Sequence, residues 1–123
     1  MVFSSFAPVA AALIGFGGLA APHVPESAMQ VTVHETSGRV TSASLTCDPT
    51  GGTHRHRDAA CATLDAAGGD FARITPHRQK CTMIYSPVDV TALGSWRGTR
   101  VTYRATYPNK CVADSQSNGV FAI

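Results

Sequence analysis

The chain has 123 residues, of which 44% are hydrophobic and only 15% are charged, and its formal net charge is +2. This length allows one domain and excludes large multidomain enzymes and dinucleotide-binding folds. The net charge is small and no dense run of Lys and Arg occurs, so nucleic acid is not an expected partner. We therefore expect a single small globular domain.

The N-terminal segment carries no formal charge before Glu26. Residues 6–21 form an apolar run, but sixteen helical residues reach only about 24 Å, short of the roughly 30 Å hydrocarbon core of a bilayer. Small residues at Gly18 to Ala21 favour a signal peptide with a cleavage site over an ordered apolar segment. The predicted division is a signal peptide at 1–20, an irregular lead-in at 21–28 and a folded domain at 29–123. We therefore expect a secreted, extracellular protein with no membrane association after cleavage.

Four cysteines dominate the remaining composition: Cys47, Cys61, Cys81 and Cys111. In an exported protein they are expected to form two disulfides, for which three connectivities are possible. No two of them have the CxxC spacing of a zinc site, so no metal is predicted. Sequential pairing would close loops of 14 and 30 residue steps. Each such bridge would stabilise the fold by about 3 to 3.6 kcal/mol.

Alternating apolar and polar residues predict most of the secondary structure. The predicted elements, in chain order, are strands at 29–33 and 39–47 joined by a turn at Ser37-Gly38, a helix capped by Asp58 and ended by Gly68-Gly69, a long excursion at 70–87, strands at 88–92 and 101–107 joined by a hairpin at 94–98, a turn or short helix at 111–115, and a last strand at 120–123. This order predicts an α+β fold in which helices pack on an antiparallel sheet.

Enzymatic motifs are mostly absent, and no cofactor is expected. The chain has no GxSxG, no HExxH and no phosphate-binding Gly-rich loop. His54 and His56 form an HxH pair that could hold a metal, but no third ligand is near in sequence, so a solvated loop is favoured. Asp65, Asp70 and Asp89 are isolated carboxylates, and nothing pairs them for acid–base catalysis. We therefore expect no catalytic residues.

Short segments along most of the chain resemble the Streptomyces subtilisin inhibitor family. They are Leu45-Thr46-Cys47-Asp48-Pro49, Gly51-Gly52-Thr53-His54, residues 60–70 (ACATLDAAGGD), residues 81–88 (CTMIYSPV), Trp96-Arg97-Gly98, Val101-Thr102-Tyr103, Asn109-Lys110-Cys111 and Gly119-Val120-Phe121. The resemblance spans about 80 residues. It implies a single domain with a five-stranded antiparallel sheet, two short helices and two disulfides, Cys47–Cys61 and Cys81–Cys111.

The same resemblance implies a homodimer that inhibits extracellular serine proteases. In this family the reactive bond lies two residues after the third cysteine, which here is the bond between Met83 and Ile84. An unbranched apolar side chain at Met83 suits the apolar pocket of subtilisin-like and chymotrypsin-like proteases. Before the resemblance is considered, a Met beside Ile and Tyr is more typical of a buried core. The loop expected to contact the protease is Lys80, Cys81, Thr82, Met83, Ile84, Tyr85 and Ser86.

Asn109 resembles the family's loop-supporting residue, with a plain turn Asn after Pro108 as the alternative. Three loop positions depart from the family pattern: Lys80 stands where an apolar residue is frequent, Thr82 replaces a frequent Pro, and Ser86 a frequent Asp. Lys80 would fill the apolar pocket of subtilisin less well, so the range of targets is open. For the homodimer, the candidate apolar residues on the sheet are Met29, Val31, Val33, Ala43, Leu45, Val101 and Tyr103.

Two alternatives come from other functional classes. One is a secreted binding module of the same fold, whose Met83 loop acts on another protease class or whose Lys or Gln serves a cross-linking enzyme. The other is a small hydrolase that uses His54 or His56. Titration against a protease separates these hypotheses, because an inhibitor saturates near one site per enzyme, whereas a hydrolase turns over its substrate.

Overall fold

The structure is a computed structural model that describes residues 24–123, so the predicted signal peptide lies outside the described residues. Its elements are β1 (Ser27–Glu35), β2 (Val40–Cys47), α1 (Arg57–Ala66), a short 3-10 helix (Phe71–Arg73), β3 (Val88–Trp96), β4 (Thr99–Tyr107) and α2 (Lys110–Gln116). The strands form one antiparallel sheet in the order β2-β1-β3-β4. The predicted α+β class with two helices is confirmed.

One face of the sheet carries the core, because apolar residues occupy alternate positions along each strand. Val31, for example, lies opposite Ala43 on β2 and Ala92 on β3, and all three side chains are buried. Residues of both helices complete this core, among them Leu64 of α1 and Ala113 of α2. The two helices therefore cover one face of the sheet and leave the other face open.

The sheet has four strands among residues 24–123, and the predicted fifth strand at 120–123 is wrong. Val120 and Phe121 are fully buried, which explains their apolar character. Their backbone is bonded locally instead of to a strand: the N–H of Val120 donates to the carbonyl of Ser117, and that of Ala122 to Gly119. An apolar run bounded by Gly119 thus packs into the core as a turn.

Three further expectations need smaller corrections. β1 begins at Ser27, which pairs with Cys47 and Trp96, so residues 27 and 28 belong to this strand and not to the predicted irregular lead-in. Helix α1 begins at Arg57, so Asp58 lies in its first turn and does not cap it. A carboxylate there still interacts favourably with the helix dipole. The hairpin between β3 and β4 turns at Arg97 and Gly98 alone, both with positive φ, as a tight two-residue turn requires.

The apolar residues suggested for a dimer contact lie mainly inside the chain. Six of the seven are buried in the core: Met29, Val31, Val33, Ala43, Leu45 and Val101. Tyr103 is half-buried against Phe71 and Phe121, with ring centroids 5.2 and 6.3 Å away. These residues face the helices, because both helices cover the apolar side of the sheet. None of the six buried side chains is free to contact a second copy.

One disulfide joins Cys47 to Cys61 and the other joins Cys81 to Cys111, which is the pairing that the resemblance implies. The first bridge ties the end of β2 to α1. The second ties the start of α2 to the long segment 74–87, which has no regular secondary structure. Within residues 24–123, no helix has the length and apolar character needed to cross a bilayer.

Candidate functional site

Three consecutive large apolar side chains project from segment 74–87. Met83 is 98% exposed, Ile84 65% and Tyr85 76%. The interpretation of Met83 as a core residue is therefore wrong. Exposing three adjacent apolar side chains forgoes the free energy that their burial would give, and such a patch is typical of an interaction site.

A disulfide holds the chain just before this patch. Cys81, two residues ahead of Met83, is bonded to Cys111 in the first turn of α2, with a Cα–Cα distance of 5.7 Å. Cys81 is half-buried, whereas its neighbours Lys80 and Thr82 are exposed. The bridge therefore fixes the position of the backbone while leaving the adjacent side chains free.

Asn109 connects the backbone on both sides of Met83 to helix α2. Its Nδ2 donates hydrogen bonds to the carbonyl oxygens of Thr82 (3.2 Å) and Ile84 (2.8 Å). Its Oδ1 accepts from the N–H of Val112 (2.9 Å), so the same side chain caps the helix. Asn109 is buried, and burial strengthens such hydrogen bonds by excluding water. One amide thus supports the loop and caps α2, which is more than the plain turn residue that the sequence offered as the alternative.

Two more contacts hold the chain after the patch. The exposed Ser86 donates its backbone N–H to the carbonyl of Pro108 at 2.8 Å. The hydroxyl of Thr36, in the turn between β1 and β2, donates to the carbonyl of Pro87 at 2.7 Å. Pro87 has a fixed φ and leads directly into β3.

The chain before the patch is bonded to α2 as well. The backbone N–H of His77 donates to the carbonyl of Ser115 (3.1 Å), whose hydroxyl donates in return to the carbonyl of His77 (2.6 Å). The amide of Gln79 donates to the carbonyl of Cys111 at 3.4 Å. We call residues 76–87 the anchored loop, because these contacts hold it at both ends and in its middle.

Sequence reasoning missed the contributions of Thr36, His77, Gln79 and Ser115 to the anchored loop. Each contact joins residues 32 to 51 positions apart in the chain. Polar residues in loops are common, and no local pattern distinguishes these from solvated ones. Only the tertiary structure could reveal them.

The HxH pair does not form a metal site. His54 is fully buried; its Nδ1 accepts from the backbone N–H of His56 (3.0 Å) and its Nε2 donates to the carbonyl of Val120 (2.8 Å). Both ring nitrogens are therefore occupied, and burial lowers the pKa of His54. His56 is exposed. No group of three His, Cys, Asp or Glu side chains within residues 24–123 could hold a metal ion.

The isolated carboxylates have structural partners. Asp65 forms an ion pair with Arg97 at 2.8 Å, and Asp70 caps the 3-10 helix by accepting from the N–H of Ala72. Asp89 accepts from the hydroxyl of Thr106 across two strands. None of the three lies within the anchored loop, which starts at Pro76 and ends at Pro87.

The anchored loop can present a fixed run of backbone and side chains to a concave partner. Held backbone groups can pair with an extended cleft, and an exposed side chain can enter a pocket. Because the loop is already ordered, little conformational entropy is lost on binding. This is the chemistry of a substrate-like ligand.

The chain belongs to the subtilisin inhibitor-like family, whose sequence pattern it matches over residues 25–109. It is 42% identical to Subtilisin inhibitor-like protein 4 of Streptomyces lavendulae, over 97% of this chain and 93% of that protein. It is 36% identical to Subtilisin inhibitor of Streptomyces albogriseolus, over 94% of this chain and 89% of the relative.

A solved structure with a similar fold is that of Streptomyces caespitosus sermetstatin in complex with Bacillus licheniformis subtilisin. The match has a TM-score of 0.64 and 36% sequence identity, and it covers 79% of this chain and 98% of that one. The similar fold and the family membership agree with the resemblance in sequence.

Proposed function

We propose that this protein inhibits subtilisin-like serine proteases, and also chymotrypsin-like ones, through the Met83–Ile84 bond. The observation that carries the proposal is the exposure of Met83 within a loop anchored on both sides. Family membership and the sermetstatin complex with subtilisin support the choice of protease. In this mechanism Met83 enters the primary specificity pocket, and the rest of the contacting loop, Lys80 to Ser86, lies along the cleft.

Binding gains free energy from two sources. Burying the side chain of Met83 is worth about 1.5–3 kcal/mol, and its unbranched shape suits a wide apolar pocket. The anchors on Thr82 and Ile84 have already fixed the backbone, so that much of the interaction energy is retained as affinity.

The same anchors explain why such a ligand is not consumed quickly. If the protease cut the Met83–Ile84 bond, the segment before it would stay attached through the Cys81–Cys111 disulfide. The segment after it would stay attached through Ser86 and β3. Asn109 bonds both sides. The new termini would remain adjacent and could rejoin, so hydrolysis would gain little free energy and the complex would persist.

We extend the proposal to secretion after removal of residues 1–20 and to a homodimer. The open face of the sheet offers the dimer surface, since the helices occupy the other face. On this face Thr32, Thr91 and Arg104 lie side by side across β1, β3 and β4, and Gln30, Leu93 and Thr102 form a second such row. A symmetric pair formed there would leave the anchored loop exposed. Light scattering at micromolar concentration should give twice the mass of one chain; a monomer mass would contradict the dimer.

Titration of a fixed amount of subtilisin tests the proposed function. Residual activity should fall linearly to near zero at about one chain per enzyme, and slow cleavage mapped by mass spectrometry should fall at Met83–Ile84. Met83→Asp should lose inhibition, because it would bury an unpaired charge in an apolar pocket. Val24→Asp is the matched control, since Val24 is 84% exposed outside the anchored loop. Equal loss in both variants, or no inhibition by the unmodified chain, would refute the proposal.

A further inference from the structure

The anchored loop carries positively charged side chains and no negatively charged ones. Between Asp70 and Asp89 the chain has three cations, Arg73, Arg78 and Lys80, and no carboxylate. Both Arg78 and Lys80 are exposed and precede Met83, by five and three residues. In the part of the chain that the structure describes, neither side chain forms a hydrogen bond or an ion pair.

The side-chain contacts of this segment alternate from residue to residue. The side chain of His77 is bonded to Asn118, and those of Gln79 and Cys81 are bonded to Cys111 of α2. The intervening Arg78, Lys80 and Thr82 are exposed. Successive side chains of an extended chain point to opposite sides. The alternation therefore directs the two cations away from the body of the molecule, on a backbone whose position is fixed.

No carboxylate among residues 24–123 forms an ion pair with these cations. On α2, the carboxylate of Asp114 is paired with Lys110 at 2.5 Å. After the patch, Asp89 accepts a hydrogen bond from Thr106. The segment before Met83 therefore presents two free positive charges at defined positions, without a carboxylate of its own to pair them.

We infer that the target protease lines the part of its cleft before the cleaved bond with carboxylates, which pair with Lys80 and Arg78. This inference rests on the proposed function and specifies the class of protease. A fixed cation next to a carboxylate in a partly desolvated cleft gains a charge-assisted hydrogen bond. Opposite charges also accelerate association, and this effect weakens as salt rises. In an apolar cleft, the ammonium of Lys80 would instead lose hydration without compensation.

The test compares one subtilisin with its own variant in which a residue lining the pocket for Lys80, the fourth residue before the bond, is replaced by Asp. The unmodified chain should inhibit the Asp-bearing enzyme at least about tenfold more tightly, and raising salt should reduce this preference. Lys80→Ala should abolish the preference, and Lys80→Arg should retain it. Arg55→Glu is the control for net charge, because Arg55 is exposed and lies outside the anchored loop.

The possible outcomes are distinct. Equal inhibition of the two enzymes by the unmodified chain, or an undiminished preference in Lys80→Ala, would overturn the inference while leaving the proposed function standing. A loss in Arg55→Glu as large as in Lys80→Ala would also overturn it, because net charge and not position would then be responsible. Failure to inhibit either enzyme would refute the proposed function and this inference with it.

Discussion

Replacing Asn109 separates the support of the anchored loop from the capping of α2. Asn109→Ala removes the two hydrogen bonds donated to Thr82 and Ile84 and also the oxygen that caps Val112. Asn109→Asp has the same shape and keeps the capping oxygen, but places a carboxylate oxygen against the two carbonyls. Both variants should therefore weaken inhibition, whereas only Asn109→Ala loses the cap of α2.

The magnitudes follow from the bonds lost. Each donated hydrogen bond is worth about 1 kcal/mol and the helix cap about 1 kcal/mol. Asn109→Ala should thus lower the free energy of unfolding by about 3 kcal/mol. Asn109→Asp should lower it by about 2 kcal/mol through the lost bonds, and repulsion between its carboxylate and the two carbonyls adds to this loss. In both variants the loop loses the two hydrogen bonds that order it, which together contribute about 2 kcal/mol. If this free energy is lost from binding, inhibition becomes roughly 30-fold weaker.

Denaturant unfolding measures the first quantity, and inhibition constants against subtilisin measure the second. Mass spectrometry of the mixture over time should show faster cleavage at Met83–Ile84 in both variants than in the unmodified chain. If Asn109→Asp inhibits as tightly and is cut as slowly as the unmodified chain, the two donated hydrogen bonds do not order the loop, and the reasoning fails.

Three further predictions concern the disulfide, the exposed methionine and the buried histidine. Replacing Cys81 and Cys111 by Ser should convert the inhibitor into a substrate, because the bridge that retains one cut end is lost. Met83→Lys should create strong trypsin inhibition and weaken chymotrypsin inhibition at least about tenfold, since the ammonium pairs with a carboxylate only in the trypsin pocket. Burial lowers the pKa of His54 from its ordinary value of about 6.5, so the unfolded chain binds the proton before the folded chain does. The free energy of unfolding should therefore fall as the pH drops below about 6.5, by at most about 1.4 kcal/mol per pH unit.

Each has a measurement and a control. Uncleaved, undiminished inhibition without the Cys81–Cys111 bridge would contradict the first, with a variant lacking Cys47 and Cys61 as comparison. Unchanged inhibition constants against trypsin, chymotrypsin and subtilisin would show that Met83 is not the inserted residue. For His54, chemical unfolding between pH 4 and 8 should lose most of its acid dependence in a His54→Gln variant, at a cost in stability; equal slopes would contradict the assignment.

Local patterns predicted much of this fold because they reflect interactions within a few residues. Alternation of apolar side chains located all four strands, and Gly68-Gly69 marked the end of α1. The same rule failed at Val120 and Phe121, where burial without strand pairing produces the same composition. The alternation also could not show whether the apolar side of the sheet faces the helices or a second copy. The residues suggested for a dimer contact therefore proved to belong mainly to the core.

The exposed apolar patch, Met83 to Tyr85, shows most clearly what the sequence predicts and what depends on the tertiary structure. Its position after Cys81 could be read from the resemblance to the family, but Met, Ile and Tyr in sequence are by themselves more typical of a core. Their exposure depends on contacts from Asn109, Ser115 and Thr36, which are distant in the chain. The sequence by itself determined which side chains the loop offers, because that depends on residue identity alone. Only the tertiary structure decided that they are held outward, because their anchors are non-local hydrogen bonds and a disulfide that no local pattern encodes.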